Sequence, residues 1–325
     1  MRVPIPAIPF ACAALSCAFL HRRRIKSTAR LTVRGFLDEP PIRADSGLSV
    51  DIGTRRFDER GKEWYSMSGS GSGRAGKGFA MRIRLNDIPV EIAENESYFD
   101  AAVRLNQAEG ALAVMVKGET LSLNAPASHG DAVLLTYRDE EGRRVYERSL
   151  RFVMLLAFET LYPQARVRCE NSLGNGVYVT VRGLKLTADV LSAVEAKMRE
   201  ITQANLPFTL VPTSRSAAIR YFAGRGDDDK VKLLKYRPYE HFRMYECGGM
   251  MEYFYGEMAR GTGDVRVFSL TLLDSGFVFM LPDPANPAVP SPYKPMPKLL
   301  STYRESARWL ENLAVENAAD LNELT

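Results

Sequence analysis

Histidine is scarce: His21, His129 and His241 are the only three in 325 residues, and the four cysteines, Cys12, Cys17, Cys169 and Cys247, include no CxxC pair. Neither a zinc knuckle nor a disulfide framework is built from such a set. Reduced thiols and a cytoplasmic location are expected. Long apolar runs are missing too. The proline-free stretch Phe10–Leu20 is shorter than the roughly 20 residues of a membrane span, and HRRR follows it, whereas a cleavable signal carries its charges in front. An N-out anchor holding HRRRIK in the cytosol is the alternative under the positive-inside rule; no membrane association is expected. Positive charge is confined to one end. The net charge is +4, but residues 1–44 carry eight Arg/Lys against two acids, leaving the remainder near −2. A phosphate-tracking groove needs clustered cations on the folded part, so no strong nucleic-acid patch is expected, although a local one stays open.

A phosphate-binding loop is also lacking. Residues 71–78, GSGRAGKG, match G-x-x-x-x-G-K and G-x-G-x-x-G. No buried strand precedes them, Gly78 stands where Ser or Thr would hold magnesium, and FAMRIRL after them has a strand pattern rather than a helical one. A Gly/Ser linker accounts for them better.

What remains is an ordinary globular composition, 46% hydrophobic and 25% charged, long enough for two or three domains. Residues 1–78 are expected to be a disordered or non-native N-terminal extension, with Met67 or Met81 as internal start candidates. From Ala80 the pattern becomes regular. MRIRLNDIPVEIA alternates across Asn86-Asp87 as a hairpin does. YFDAAVRLNQ predicts a helix with Phe99, Val103 and Leu105 inward, and ALAVMVKGETLSL and AVLLTYRDEEG predict strands. This small sheet under one helix, residues 79–142, resembles the TGS domain, the ubiquitin-like β-grasp module of threonyl-tRNA synthetases, certain GTPases and stringent-response synthetases. The resemblance implies a ligand-sensing or regulatory role without chemistry of its own.

Residues 147–283 predict a buried helix, Glu147–Tyr162, ended by Pro163, and a hairpin turning at Leu173-Gly174-Asn175-Gly176. A helix capped by Thr187, a strand LPFTLVP, a helix from Thr213 or Ser214 to a glycine, and a run of strands from DDDKVKLLKY to GFVFMLPDP follow. The order is that of an α+β domain with an antiparallel sheet. "LYP", "NGVYVTV", "LTADVLSAVEAKMREI", "FAGRGDDDKVKLL" and "MYECGG" resemble the SAD-like editing domain of threonyl- and alanyl-tRNA synthetases. In that family HxxxH and CxxxH imidazoles act on the ester of a mischarged tRNA. The resemblance places Arg148 and Phe152 at the first pair and Cys247 and Met251 at the second, with Lys230 in the cleft and Tyr178 on the facing hairpin.

Ester hydrolysis near neutral pH needs a group that takes and returns a proton, or a ligated metal. Arg148 stays protonated, Phe152 cannot ligate, and methionine suits hard ions poorly. Residues Arg148, Phe152, Cys247 and Met251 therefore read as a degenerate site, with no metal. Arg148, Tyr178, Lys230 and Cys247 are ligand-binding candidates. Arg148 and Lys230 either bind an anion or are solvated rim charges, Cys247 is a buried thiol or a nucleophile, and Tyr245, Tyr253, Phe254 and Tyr255 either stack a base or pack a sheet.

Residues 284–325 read as a proline-rich crossing and a helix with Leu300, Tyr303, Ala307 and Leu310 aligned. TGS, editing-like domain, crossing and closing "ADLNEL" together resemble the front half of bacterial uridine-kinase-like nucleoside kinases, without their P-loop domain. The resemblance implies a non-catalytic regulatory module that binds a nucleotide, nucleoside or tRNA-like ligand and partners a separate or downstream kinase domain. ATP and magnesium are expected only if that domain is supplied elsewhere. The alternatives are a freestanding aminoacyl-tRNA deacylase centred on Cys247 and a TGS-mediated RNA or ribosome scaffold.

Overall fold

The computed structural model describes residues 81–128, 130–315 and 317–324, plus two short strands upstream, β1 (Arg56–Phe57) and β2 (Glu63–Trp64), which pair antiparallel. The rest of the expected extension, GSGRAGKG, His21 and His129 lie outside the described residues.

β3 (Met81–Leu85) and β4 (Ile88–Ile92) turn at Asn86 and Asp87, whose φ angles of 47° and 65° form the left-handed pair that suits a two-residue hairpin. Alternation buries Ile83, Leu85, Val90 and Ile92. Ser97 starts α1 (Tyr98–Arg104) in a capping box with Asp100. That start fixes which side faces inward. Tyr98, Ala101 and Ala102 are buried and the expected Phe99 and Leu105 pack partly buried on the same core, whereas the expected Val103 is 48% exposed. Two small alanines let the helix approach the sheet closely, and the Phe99 N–H reaches the Leu123 carbonyl at 2.9 Å. β5 (Ala111–Val116), β6 (Glu119–Leu121) and β7 (Asp131–Thr136) complete a five-stranded sheet in the order β4-β3-β7-β5-β6. Only the β3–β7 pair is parallel.

α2 (Glu140–Leu161) begins seven residues earlier than its apolar pattern suggests, because its first turns lie over the sheet. A Cβ on Gly142 would stand 1.8 Å from the Thr136 carbonyl oxygen, so only glycine fits that approach. Leu112, Ala113 and Leu135 join the same core as Leu150, Val153 and Ala157. The boundary expected between residues 142 and 147 thus falls inside a continuous helix.

Beyond α2, β8 (Arg166–Ser172), β9 (Gly176–Arg182), β13 (Ser269–Leu273) and β14 (Gly276–Met280) form an antiparallel sheet in the order β13-β14-β9-β8. α3 (Ala188–Ala204) packs with α2 in the large core through Leu191, Val194 and Met198. Its N-cap is Thr187, whose hydroxyl accepts the Val190 N–H, and left-handed Asn205 ends it. Val177 and Val179 of β9 face this core, while Tyr178 faces the opposite way, with Leu300 of α6 (Pro297–Asn312).

β10 (Thr209–Ser214), β11 (His241–Cys247) and β12 (Met250–Glu252) form a second antiparallel sheet. Tyr245, Cys247 and Met250 point into the large core; Phe242, Met244 and Met251 point outward to α4 (Arg215–Arg225) and α5 (Asp228–Lys235). DDDKVKLLKY is a helix and not the expected strand. Acids in its first turn and Lys232 and Lys235 in its last match the helix dipole, and Leu234 docks on Phe222 and Phe242. A final helix, α7 (Ala318–Leu324), ties back through Asp320 to Lys232 at 2.7 Å. No helix among the described residues is long and apolar enough to cross a membrane.

Candidate functional site

The candidate site lies where α2 meets the β11–β12 hairpin. Arg148 and Phe152 are four residues apart, one turn along the same face of α2. Phe152 is fully buried, with the rings of Phe208 and Phe254 each 5.7 Å away, so the position is filled by an aromatic cluster. Arg148 closes the end of it. Its Nε donates to the Glu257 carbonyl at 3.0 Å, and its guanidinium lies against Gly256, where φ is +92° and an added Cβ would sit 3.1 Å from the guanidinium carbon. The Glu257 carboxylate accepts the Tyr245 hydroxyl at 3.2 Å. Burial raises the Glu257 pKa, against the lowering effects of that hydrogen bond, Arg243 and Arg148.

Cys247 ends β11 at 1% exposure. The two glycines after it, Gly248 at φ +58° and Gly249 at φ +83°, make a tight hairpin turn. Gly248 passes so near Leu156 that a Cβ would meet its side chain at 3.0 Å. Burial, helped by the Glu246 charge, pushes the Cys247 thiol up to about 12. A buried, protonated thiol is a poor nucleophile near neutral pH.

Met251 does not converge with Cys247. It lies on the outer face of the sheet against α4 and α5, and its backbone N–H donates to the Tyr221 hydroxyl at 2.8 Å. Lys230 is on α5, which packs on that outer side, but it reaches Glu252, the ladder partner of Tyr245. Its Nζ stands 2.6 Å from Glu252, 3.6 Å from Asp227 and 4.9 Å from the Phe222 ring centre. Burial lowers the Lys230 pKa, but Glu252 and Asp227 together outweigh it and the net shift is upward. Arg225 extends the network to Glu159 at 3.0 Å and Asp227 at 3.2 Å. Lys230 is therefore held by the protein's own carboxylates.

The six positions separate into three groups. Arg148, Phe152 and Cys247 border the large core, Met251 and the helix that carries Lys230 the outer face of the hairpin, and Tyr178 the layer under α6. His241, at the exposed start of β11, is paired across the ladder with Ser214. Sequence patterns gave no sign of Glu252 and Glu257, because each matters only through a partner on another element. Among the described residues no three His, Cys, Asp or Glu side chains gather as metal ligands would.

Fold and site define an α+β protein with antiparallel sheets around a long helix, and a packed aromatic cluster at Phe152 in which no histidine stands among the described residues. Sequence comparison places it near one group of enzymes: the chain contains a region similar to threonine–tRNA ligases. That of Acidiphilium cryptum is 35% identical over 192 residues, 58% of this chain and 30% of the ligase. Those of Symbiobacterium thermophilum and Granulibacter bethesdensis are 32% identical over 189 residues and 33% identical over 161. The chain spans about 30% of the length of the first of these and less of the other two. No family model matches the chain.

Proposed function

We propose that this chain is a non-hydrolytic binding module related to the editing region of threonyl-tRNA synthetases, and that it recognises aminoacylated tRNA without cleaving the ester. One observation carries this: the positions expected to hold proton-transferring groups are occupied by side chains already committed to the protein itself. Phe152 fills an aromatic cluster, Arg148 binds the Glu257 carbonyl, Met251 faces the outer layer, and the Cys247 thiol is buried with its pKa near 12. General acid–base catalysis at neutral pH has no agent in such a set.

The resemblance of residues 79–142 to a TGS domain gains support from the mixed five-stranded sheet with one helix on it and a single parallel pair at its centre. A module of this kind would supply ligand sensing rather than chemistry. None of the relatives described above is a nucleoside kinase, so tRNA is preferred over a nucleoside as the ligand. A deacylase agrees with the kind of relative found, but none of Arg148, Phe152, Cys247 and Met251 offers a proton-transferring group near neutral pH.

Filter binding with aminoacylated and uncharged tRNA tests the proposal. Retention of aminoacyl-tRNA with its ester intact supports it; no retention of either form overturns it.

A further inference from the structure

The guanidinium of Arg237, in the loop after α5, is surrounded by rings. Its central carbon lies 4.5 Å from the Phe242 ring centre, 4.9 Å from Tyr253, 5.8 Å from Tyr239 and 6.0 Å from Tyr255. Nη1 donates to the Tyr253 hydroxyl at 2.6 Å and to that of Tyr255 at 3.2 Å, and the Arg237 carbonyl accepts from Arg215 at 2.7 Å. One cation shared by four aromatics is dense for a surface where such contacts occur about once per 70 residues. The inner rings, Phe242 and Tyr253, pack edge to face at 5.2 Å and belong to the layer between sheet and helices. The outer rings do not finish inside that layer. Tyr239 is 52% and Tyr255 50% exposed.

The chemistry of this patch narrows its ligand. An aromatic cage open at its centre takes a quaternary ammonium, but here the centre holds a guanidinium, so cations are excluded. Two half-exposed rings beside a fixed positive charge fit an unpaired nucleobase joined to a phosphate. Lys235, exposed on the last turn of α5 two residues before Arg237, adds a second cation on the same segment. Tyr255 stands between Phe254, which packs on Phe152, and Gly256, which lies against Arg148, so the patch adjoins that cluster from the solvent side.

We infer that Tyr239 and Tyr255, held by Arg237, form a stacking surface for unpaired bases of single-stranded RNA. The choice of RNA rests on the function proposed above. Both the tyrosines and the strand bring modest individual affinity, and the surface is tolerant of base identity because every base has a π-face.

The test is fluorescence anisotropy of the full chain with a short labelled single-stranded oligoribonucleotide carrying 2-aminopurine, whose emission reports stacking. The Tyr239→Ala/Tyr255→Ala pair is expected to bind about tenfold or more weakly and to lose the emission change, whereas Tyr239→Phe/Tyr255→Phe stays within about twofold. Thermal melts identify any variant that has lost its fold, and the phenylalanine pair then decides alone: its loss of binding overturns ring stacking. The inference is also overturned if the alanine pair binds like wild type, if wild type gives no emission change, or if a duplex of equal length binds as well as the single strand. Unchanged retention of aminoacyl-tRNA by a folded alanine pair removes this surface while leaving the proposed function standing.

Discussion

Lys230 Nζ and Glu252 Oε2 stand 2.6 Å apart, with the Glu252 side chain 5% exposed. The lysine that the family resemblance makes a ligand-binding candidate is thus matched to a carboxylate of β12. Removing it leaves a charge that burial disfavours, and a charge in that state costs more than the pair contributes.

Lys230→Met is therefore expected to lower stability by about 3 kcal/mol near neutral pH, the lower end for a broken buried pair because Lys230 keeps some solvent contact. Urea denaturation at neutral pH checks it. Lys230→Met/Glu252→Gln is expected to recover most of the loss.

Phe152→Ala removes a ring that touches Phe208 and Phe254 in a fully buried position. A loss of about 3–5 kcal/mol is expected by denaturant unfolding. A loss under about 1 kcal/mol would mean that the position is an open cleft and not a packed core.

The two turn glycines differ in what surrounds them. Both have positive φ, but a Cβ on Gly248 meets Leu156 and Leu206 at 3.0 and 3.3 Å, while nothing lies within 4 Å of one on Gly249. Gly249→Ala is expected to cost about 1–2 kcal/mol from backbone conformation alone, and Gly248→Ala more than that. Paired thermal melts compare them.

Cys247 and Cys169 have thiols that burial pushes up to about 12 and about 11. With Cys12, Cys17 and Cys169 changed to Ser, the folded protein is expected to resist Ellman's reagent at pH 8 and to release the buried Cys247 thiol only in denaturant. Both shifts also favour the protonated folded form, so stability should fall as pH rises above about 8.5, the ordinary thiol value, toward those folded values. Rapid native labelling of Cys247 would show an accessible thiolate and revive the nucleophile.

Local signals were legible in the sequence. Asn86-Asp87, the Thr187 cap and the long apolar helix declare themselves within a few residues, as does the glycine stop of the helix that Ser214 opens. Signals that depend on docking were not. α5 is short and its acidic opening masks a helix that is fixed by Leu234 packing on Phe222 and Phe242. In α1 the place of Val103 is taken by Ala101 and Ala102, fully buried although alanine carries little hydrophobic weight in a sequence pattern. Tyr178 and Met251 were assigned to one cleft because homology spacing says nothing about which sheet face a residue takes; alternation turns each away from the core that holds Cys247. Glu252 and Glu257 acquire their roles only from Lys230, Arg148 and Tyr245.

The most direct measurement is the lifetime of the ester in radiolabelled seryl- and threonyl-tRNA under a saturating excess of the protein. Protein-bound aminoacyl-tRNA is predicted to lose its amino acid no faster than in buffer, with wild type and Cys247→Ala alike. Accelerated release that disappears in Cys247→Ala would contradict the account and make the chain a hydrolase.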